Sequence, residues 1–173
     1  MLELPEHLKA MAGFALATGL RESNVTQLQW EQIDMQRRCA WIHPEQAKAG
    51  KAIAVPLNTE ALEVIRQQIG KNMTYVFTYK GERVTKANNH AWRKALLRAG
   101  VADFRWHDLR HTWASRHIQN GTPLLILKEL GGWSDLSMVL RYAHLSSKHL
   151  EDYAGNSKIK TVETNLLHQQ RKV

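Results

Sequence analysis

The run Arg105-Trp106-His107-Asp108-Leu109-Arg110-His111-Thr112-Trp113-Ala114 reads as the start of a helix. His107, Arg110, His111 and Ala114 fall at i, i+3, i+4 and i+7, so they share one face. A helix start with an Arg and a His on one face suits an oxyanion such as phosphate. The free N–H groups and the positive dipole end add to that preference. His-x-x-Arg alone is a weak signal. It gains weight from three other pieces: Thr18-Gly19-Leu20-Arg21, a hairpin around Lys48, and Leu130-Gly131-Gly132-Trp133 followed by Arg141-Tyr142-Ala143-His144.

Toward the N-terminus, residues 4–17 carry Leu8, Met11, Ala12, Ala15 and Leu16 at helical spacing, with Pro5 in the first turn. Gly19 is the expected left-handed cap. A second helix is expected after Arg21, with Val25 and Leu28 inward, which leaves Arg21 in a corner between two helices. Residues 30–34, 39–43 and 52–57 read as strands. The loop 44–51 carries Lys48 and Lys51. A lysine at a hairpin tip is usually solvated, but a mobile hairpin can also bring an ammonium to a phosphate or a leaving group. A helix is expected over 59–69, capped by Thr59, with Leu62, Ile65 and Ile69 on its core side. A strand-like run follows at 75–79, then a helix over 85–99. Trp92, Ala95 and Leu96 face inward there, and Lys86, Arg93, Lys94 and Arg98 form a basic side.

Beyond a linker at 100–104, the central helix is expected over 107–119, stopped by Asn120-Gly121. Thr122 and Pro123 then start a helix through Leu130 as cap and first-turn proline. Trp133-Ser134-Asp135 opens another, in which Leu136, Val139 and Leu140 place Arg141 and Tyr142 at its end. Ser146 or Ser147 is expected to cap a further helix through Tyr153. Ile159, Val162 and Leu166 then recur at helical spacing in the tail. The whole reads as a mainly α chain with a small antiparallel β-sheet.

With 173 residues the chain is long enough for one domain with a real core. Lys and Arg outnumber Asp and Glu by 24 to 16, and the pI is about 9.8. That excess favours a polyanionic partner, nucleic acid first and an anionic membrane second. No apolar run approaches the roughly 18 residues of a membrane span, and no signal-peptide pattern is visible. Cys39, the single cysteine, has no internal disulfide partner, so a cytoplasmic protein is expected.

Transesterification of a phosphodiester needs charge neutralisation, an in-line nucleophile and a proton for the leaving oxygen. Arg21 and Arg110 suit the first as always-charged forks. Tyr142 suits the second, forming a covalent phosphotyrosine. Lys48 suits the third, and His107 suits a base near its unperturbed pKa. The arginines then do the electrostatic work of a metal, so neither metal nor cofactor is expected.

These pieces, in this order, resemble the catalytic domain of tyrosine recombinases of the phage integrase type. Arg110 and Trp133 are 23 residues apart, and Trp133 and Tyr142 nine. The resemblance implies that Arg21 and Arg110 bind the scissile phosphate and that Lys48 is the general acid. It implies that His107 is a general base or phosphate ligand, and that Tyr142 becomes joined to a 3′ phosphate and leaves a 5′ hydroxyl. Trp133 stands where many relatives carry His and others Trp. Its indole N–H can donate a hydrogen bond but cannot shuttle a proton. His111 and His144 are more often structural in such motifs. Asn24 stands where many relatives carry an acidic residue, which is expected to alter the support of Arg21.

The resemblance further implies a catalytic domain over 1–157 and a tail over 158–173 that docks on another protomer or on its own domain. It implies double-stranded DNA recombination sites as partner and a bacterial cytoplasmic or nucleoid location. The protein is expected to be a homo-oligomer, a tetramer, on DNA and a monomer in isolation. Relatives carry an N-terminal helical DNA-binding domain, and residue 1 here lies almost at the first catalytic-domain helix. A fragment or cloned domain is therefore expected, binding DNA weakly and recombining little alone. A non-catalytic helix-turn-helix protein is the alternative, on the helix–Gly–helix pattern at 122–140, but it leaves the Arg, Lys and Tyr placement unexplained. A metallohydrolase, on His107-x-x-x-His111, is disfavoured by Arg110 on the same face and by the lack of a Glu after His107. A type IB topoisomerase shares the chemistry but fits the motif order less closely.

Overall fold

The structure, a computed structural model, describes residues 2–48 and 50–145. The helix expected after Ser146 and the tail over 158–173 lie outside the described residues. α1 (Glu6–Thr18) runs through the centre, with Leu8, Met11, Ala12, Phe14 and Ala15 buried. It ends at Gly19, whose φ of 68° is the expected left-handed cap and whose N–H donates to Ala15 O. The short α2 (Glu22–Thr26) follows, with Arg21 in the extended conformation at its N-cap position.

β1 (Ile33–Asp34), β2 (Cys39–Ile42) and β3 (Ile53–Pro56) form an antiparallel sheet. Ala40 faces Val55 in the register and Ile42 faces Ile53. Ala40, Ile42 and Val55 point into the core, while Trp41 points out. The strand expected over 30–34 is reduced to two residues. Trp30–Gln32 is a 3-10 turn, closed by the Gln32 side chain accepting from Gln29 N–H at 3.0 Å and tied down by Trp30 Nε1 donating to Asn72 O at 2.9 Å.

α3 (Thr59–Arg66) is capped by Asn58, not by Thr59. The Asn58 side chain accepts from Ala61 N–H at 2.9 Å. The helix stops three residues early, where bonds from Gln68 to Ile65 and from Ile69 to Arg66 tighten the chain. Ile69, expected in the core, is therefore 56% exposed. Of the run 75–79, Tyr75 makes an isolated antiparallel bridge to Gln29, and β4 (Thr78–Tyr79) pairs with β5 (Glu82–Arg83). α4 (His90–Arg98) starts later than expected, because Ala87 and Asn88 N–H donate to Glu22 Oε1 at 2.7 and 2.8 Å and Asn89 caps the helix. Arg98 leaves the basic side to pair with Glu3 at 2.9 Å.

α5 (Asp108–Gln119), α6 (Leu124–Leu130) and the one-turn α7 (Ser137–Leu140) complete the described chain. Thr122 does not cap α6. Its hydroxyl bonds His117 Nδ1 at 3.0 Å instead, and Pro123 stands at the N-cap position. Leu140 is half exposed. α5 joins two apolar clusters. Leu109 belongs to a large one built on α1, α3 and the sheet. Trp113, Ala114 and Ile118 belong to a smaller one with Leu127, Trp133, Val139 and Tyr142. No helix of the described residues is long and apolar enough to cross a membrane.

Candidate active site

Arg110 projects from the first turn of α5 and is 4% exposed. One terminal nitrogen donates to Gly19 O at 2.6 Å, and the other to Gly131 O. The guanidinium carbon lies 4.1 Å from the centre of the Trp133 ring, a cation–π distance. Both acceptor carbonyls belong to glycines for a steric reason. A Cβ on Gly19 would lie 2.3 Å from the Trp113 ring, and one on Gly131 would lie 2.0 Å from the Trp133 ring. Two tryptophans thus press on the two peptides that hold the arginine.

No carboxylate pairs with Arg110 or with Arg21 among the described residues. Burial, with the Arg21 charge nearby, pushes Arg110 down to about 9. That still leaves it charged at neutral pH. Burial also lowers the half-buried Arg21. A buried cation with only neutral acceptors is costly, and a bound anion offsets that cost. Arg21 reaches its place because the left-handed Gly19 turns the chain and the buried Leu20 pins the turn.

Tyr142 is 6% exposed and packs in the smaller cluster, its ring 6.3 Å from that of Trp133. Its hydroxyl lies 2.6 Å from His111 Nδ1. Burial raises the phenol above its ordinary range. The His111 ring meets His107 edge to face at 4.9 Å. His107 is exposed and makes no hydrogen bond to Tyr142. Burial lowers both imidazoles, so both are neutral at pH 7.

Lys48 makes no hydrogen bond or ion pair to this cluster among the described residues. It is exposed on the loop between β2 and β3. The root of that loop is fixed: Asn24 Nδ2 donates to Gln46 O at 2.8 Å, and Gln32 Nε2 to the Gln46 side chain at 2.7 Å. Asn24 is thus tied to the loop that carries Lys48, where the sequence had suggested support of Arg21. Among the described residues, no His, Cys, Asp or Glu joins His107 and His111 in a group able to hold a metal ion. The helix–Gly–helix pattern at 122–140 ends in the single turn of α7, too short to lie along a DNA major groove.

A model of the phage integrase family matches residues 2–149. The chain belongs to the phage integrase family. The integrase of Salmonella phage P22 is 48% identical over 98% of this chain and 48% of that protein. The shufflon-specific DNA recombinase of Escherichia coli is 30% identical over 79% of this chain and 34% of that protein. The chain thus spans about half the length of the first relative and a third of the second. Among solved structures, the catalytic domain of bacteriophage HP1 integrase superposes with a TM-score of 0.62 at 27% identity, covering 88% of this chain and 83% of that one. The fold is that of the tyrosine recombinase catalytic domain.

Four site features escaped the motif reading of this integrase-family chain: the contact of His111 with Tyr142, the two glycine carbonyls on Arg110, the wedge made by Trp113, and Gln46 at the loop root. His111 was visible on the same helical face as Arg110. Its partner, 31 residues away, was not.

Proposed function

We propose that this chain cuts and rejoins DNA as the catalytic domain of a site-specific recombinase, through a covalent link between Tyr142 and a 3′ phosphate. The observation that carries this reading is Arg110: a buried fork, charged at neutral pH and without a carboxylate, over a tryptophan whose ring neighbours the Tyr142 ring. Arg21 and Arg110 take the non-bridging phosphate oxygens, with His107 at the start of α5 as a further ligand. The Tyr142 oxygen attacks phosphorus, the bond to the 5′ oxygen breaks, and Lys48 protonates that oxygen. Trp133 braces Arg110 from below. The net charge of +8 and a groove of about 730 Å³ edged by Lys86, Arg93 and Arg105 suit a DNA backbone.

On paired sites in the bacterial cytoplasm the protein works as a tetramer and is a monomer when free, which light scattering with and without paired sites reads directly. The mechanism is tested on a nicked suicide half-site. The native chain forms a protein–DNA adduct, and Tyr142→Phe forms none while keeping DNA affinity within a few-fold. Adduct from the Phe variant sinks the nucleophile assignment.

A further inference from the structure

We infer that His111, and not His107, takes the phenol proton of Tyr142 during strand cleavage; this rests on the nucleophilic role proposed above for Tyr142. His111 Nδ1 lies 2.6 Å from the Tyr142 oxygen, within direct proton-transfer distance. The tyrosine otherwise packs in the apolar cluster with Trp113, Trp133 and Val139; the Arg110 and Arg141 charges act on it but cannot take a proton, so the imidazole is the base within reach. A phenol is a poor nucleophile until its proton has somewhere to go. Burial makes this one harder to ionise unaided.

The charges around His111 keep it ready to accept. Burial holds its ring below the ordinary imidazole range. Arg141 beside the tyrosine, and Arg105 and Arg110 on the α5 side, add to that, against Asp108. The neutral ring then carries its proton on Nε2, and Tyr142 O–H donates to the bare Nδ1. His107 stands edge-on to His111, exposed at the start of α5 and without a bond to Tyr142. Its place suits the phosphate, not the phenol.

The step balances. As the bond from the Tyr142 oxygen to phosphorus forms and the bond to the 5′ oxygen breaks, the phenol proton passes to His111 Nδ1. A proton from Lys48 passes to the 5′ oxygen. Rejoining runs both transfers backwards: the incoming 5′ hydroxyl gives its proton to Lys48, and His111 returns its own to the tyrosine.

The test is the rate of adduct formation on a nicked half-site from about pH 5.5 to pH 8, below the titration of Arg110. The native rate rises through an inflection at or below the ordinary imidazole value of about 6.5. His111→Gln keeps a hydrogen-bond acceptor but cannot take a proton. It should lose that inflection and fall on the order of 10²-fold or more at neutral pH, its rate then climbing steadily with pH. His107→Gln should be slower yet keep the inflection. An inflection that survives in His111→Gln, or vanishes only in His107→Gln, overturns the inference. Tyr142→Phe separates the two readings: adduct from that variant defeats the nucleophile, whereas a silent Phe variant with an unchanged His111→Gln defeats only the base. Nitrogen-15 NMR of the native chain needs neither turnover nor a variant. It should show an unprotonated Nδ1 at His111 at neutral pH, and a protonated Nδ1 overturns the inference.

Discussion

Arg110 and Lys48 are both cations proposed above to act on one phosphodiester, yet the chain holds them in opposite ways. Arg110 sits in the first turn of a 12-residue helix, bonded to two backbone carbonyls and stacked on Trp133. Lys48 lies exposed on a loop whose root is fastened at Gln46 and at the buried Ala47. The difference follows the chemistry. A group that stabilises developing charge works best when it needs no reorganisation at the moment of reaction. A group that delivers one proton has to reach a leaving oxygen that arrives with the DNA, and a tethered loop allows that.

This contrast can be broken at either end. Arg110→Lys keeps the charge but loses the two-pronged fork, and cleavage should fall on the order of 10³-fold. Near-normal cleavage would make Arg110 a structural residue. Lys48→Ala should cost about 10²-fold on ordinary DNA, and a substrate with sulfur at the 5′ leaving position should restore most of the rate, since a thiolate leaves without a donated proton. Rescue in Lys51→Ala and not in Lys48→Ala would move the role along the loop. Asn24→Ala should cost about tenfold, roughly one hydrogen bond, with the loss smaller on the sulfur substrate. An equal loss on both substrates would place Asn24 with the arginine and not with the lysine.

The smallest effect is on stability. His7, His107, His111 and His117 all have values lowered by burial in the folded chain. The unfolded chain therefore binds more protons below the ordinary imidazole value of about 6.5, and stability rises with pH there. This contribution is present above that value and is lost as pH falls through the lower folded values. The rings are only partly buried, so the loss is modest. Melting temperature should drop by a few degrees between pH 7.5 and pH 5.5. A rise on acidification would contradict the shifts.

The fold and half of the site were legible because their signals are local. Gly19 ends α1 where the helical stripe ends, and Arg21, Arg110 and Tyr142 sit in short motifs at fitting distances. What could not be read depends on partners far away in sequence. The strand at 30–34 gives way to a turn because Trp30 bonds Asn72, 42 residues on. Residues 85–89 stay out of α4 because Glu22 receives two of their N–H groups from across the chain. His111 looks structural in its own motif and becomes chemical only once α7 delivers Tyr142 beside it.

Arg110 also ties the molecule together. Gly19 adjoins Leu20 in the larger apolar cluster, and Gly131 lies two residues before Trp133 in the smaller one. The guanidinium therefore acts as a rivet between the two halves, and its working position exists only when both halves have docked. A chain caught half-folded has a tyrosine and an arginine but no phosphate trap. For the strand cleavage proposed above, that dependence is a safety catch: the same contacts that complete the architecture complete the phosphate trap.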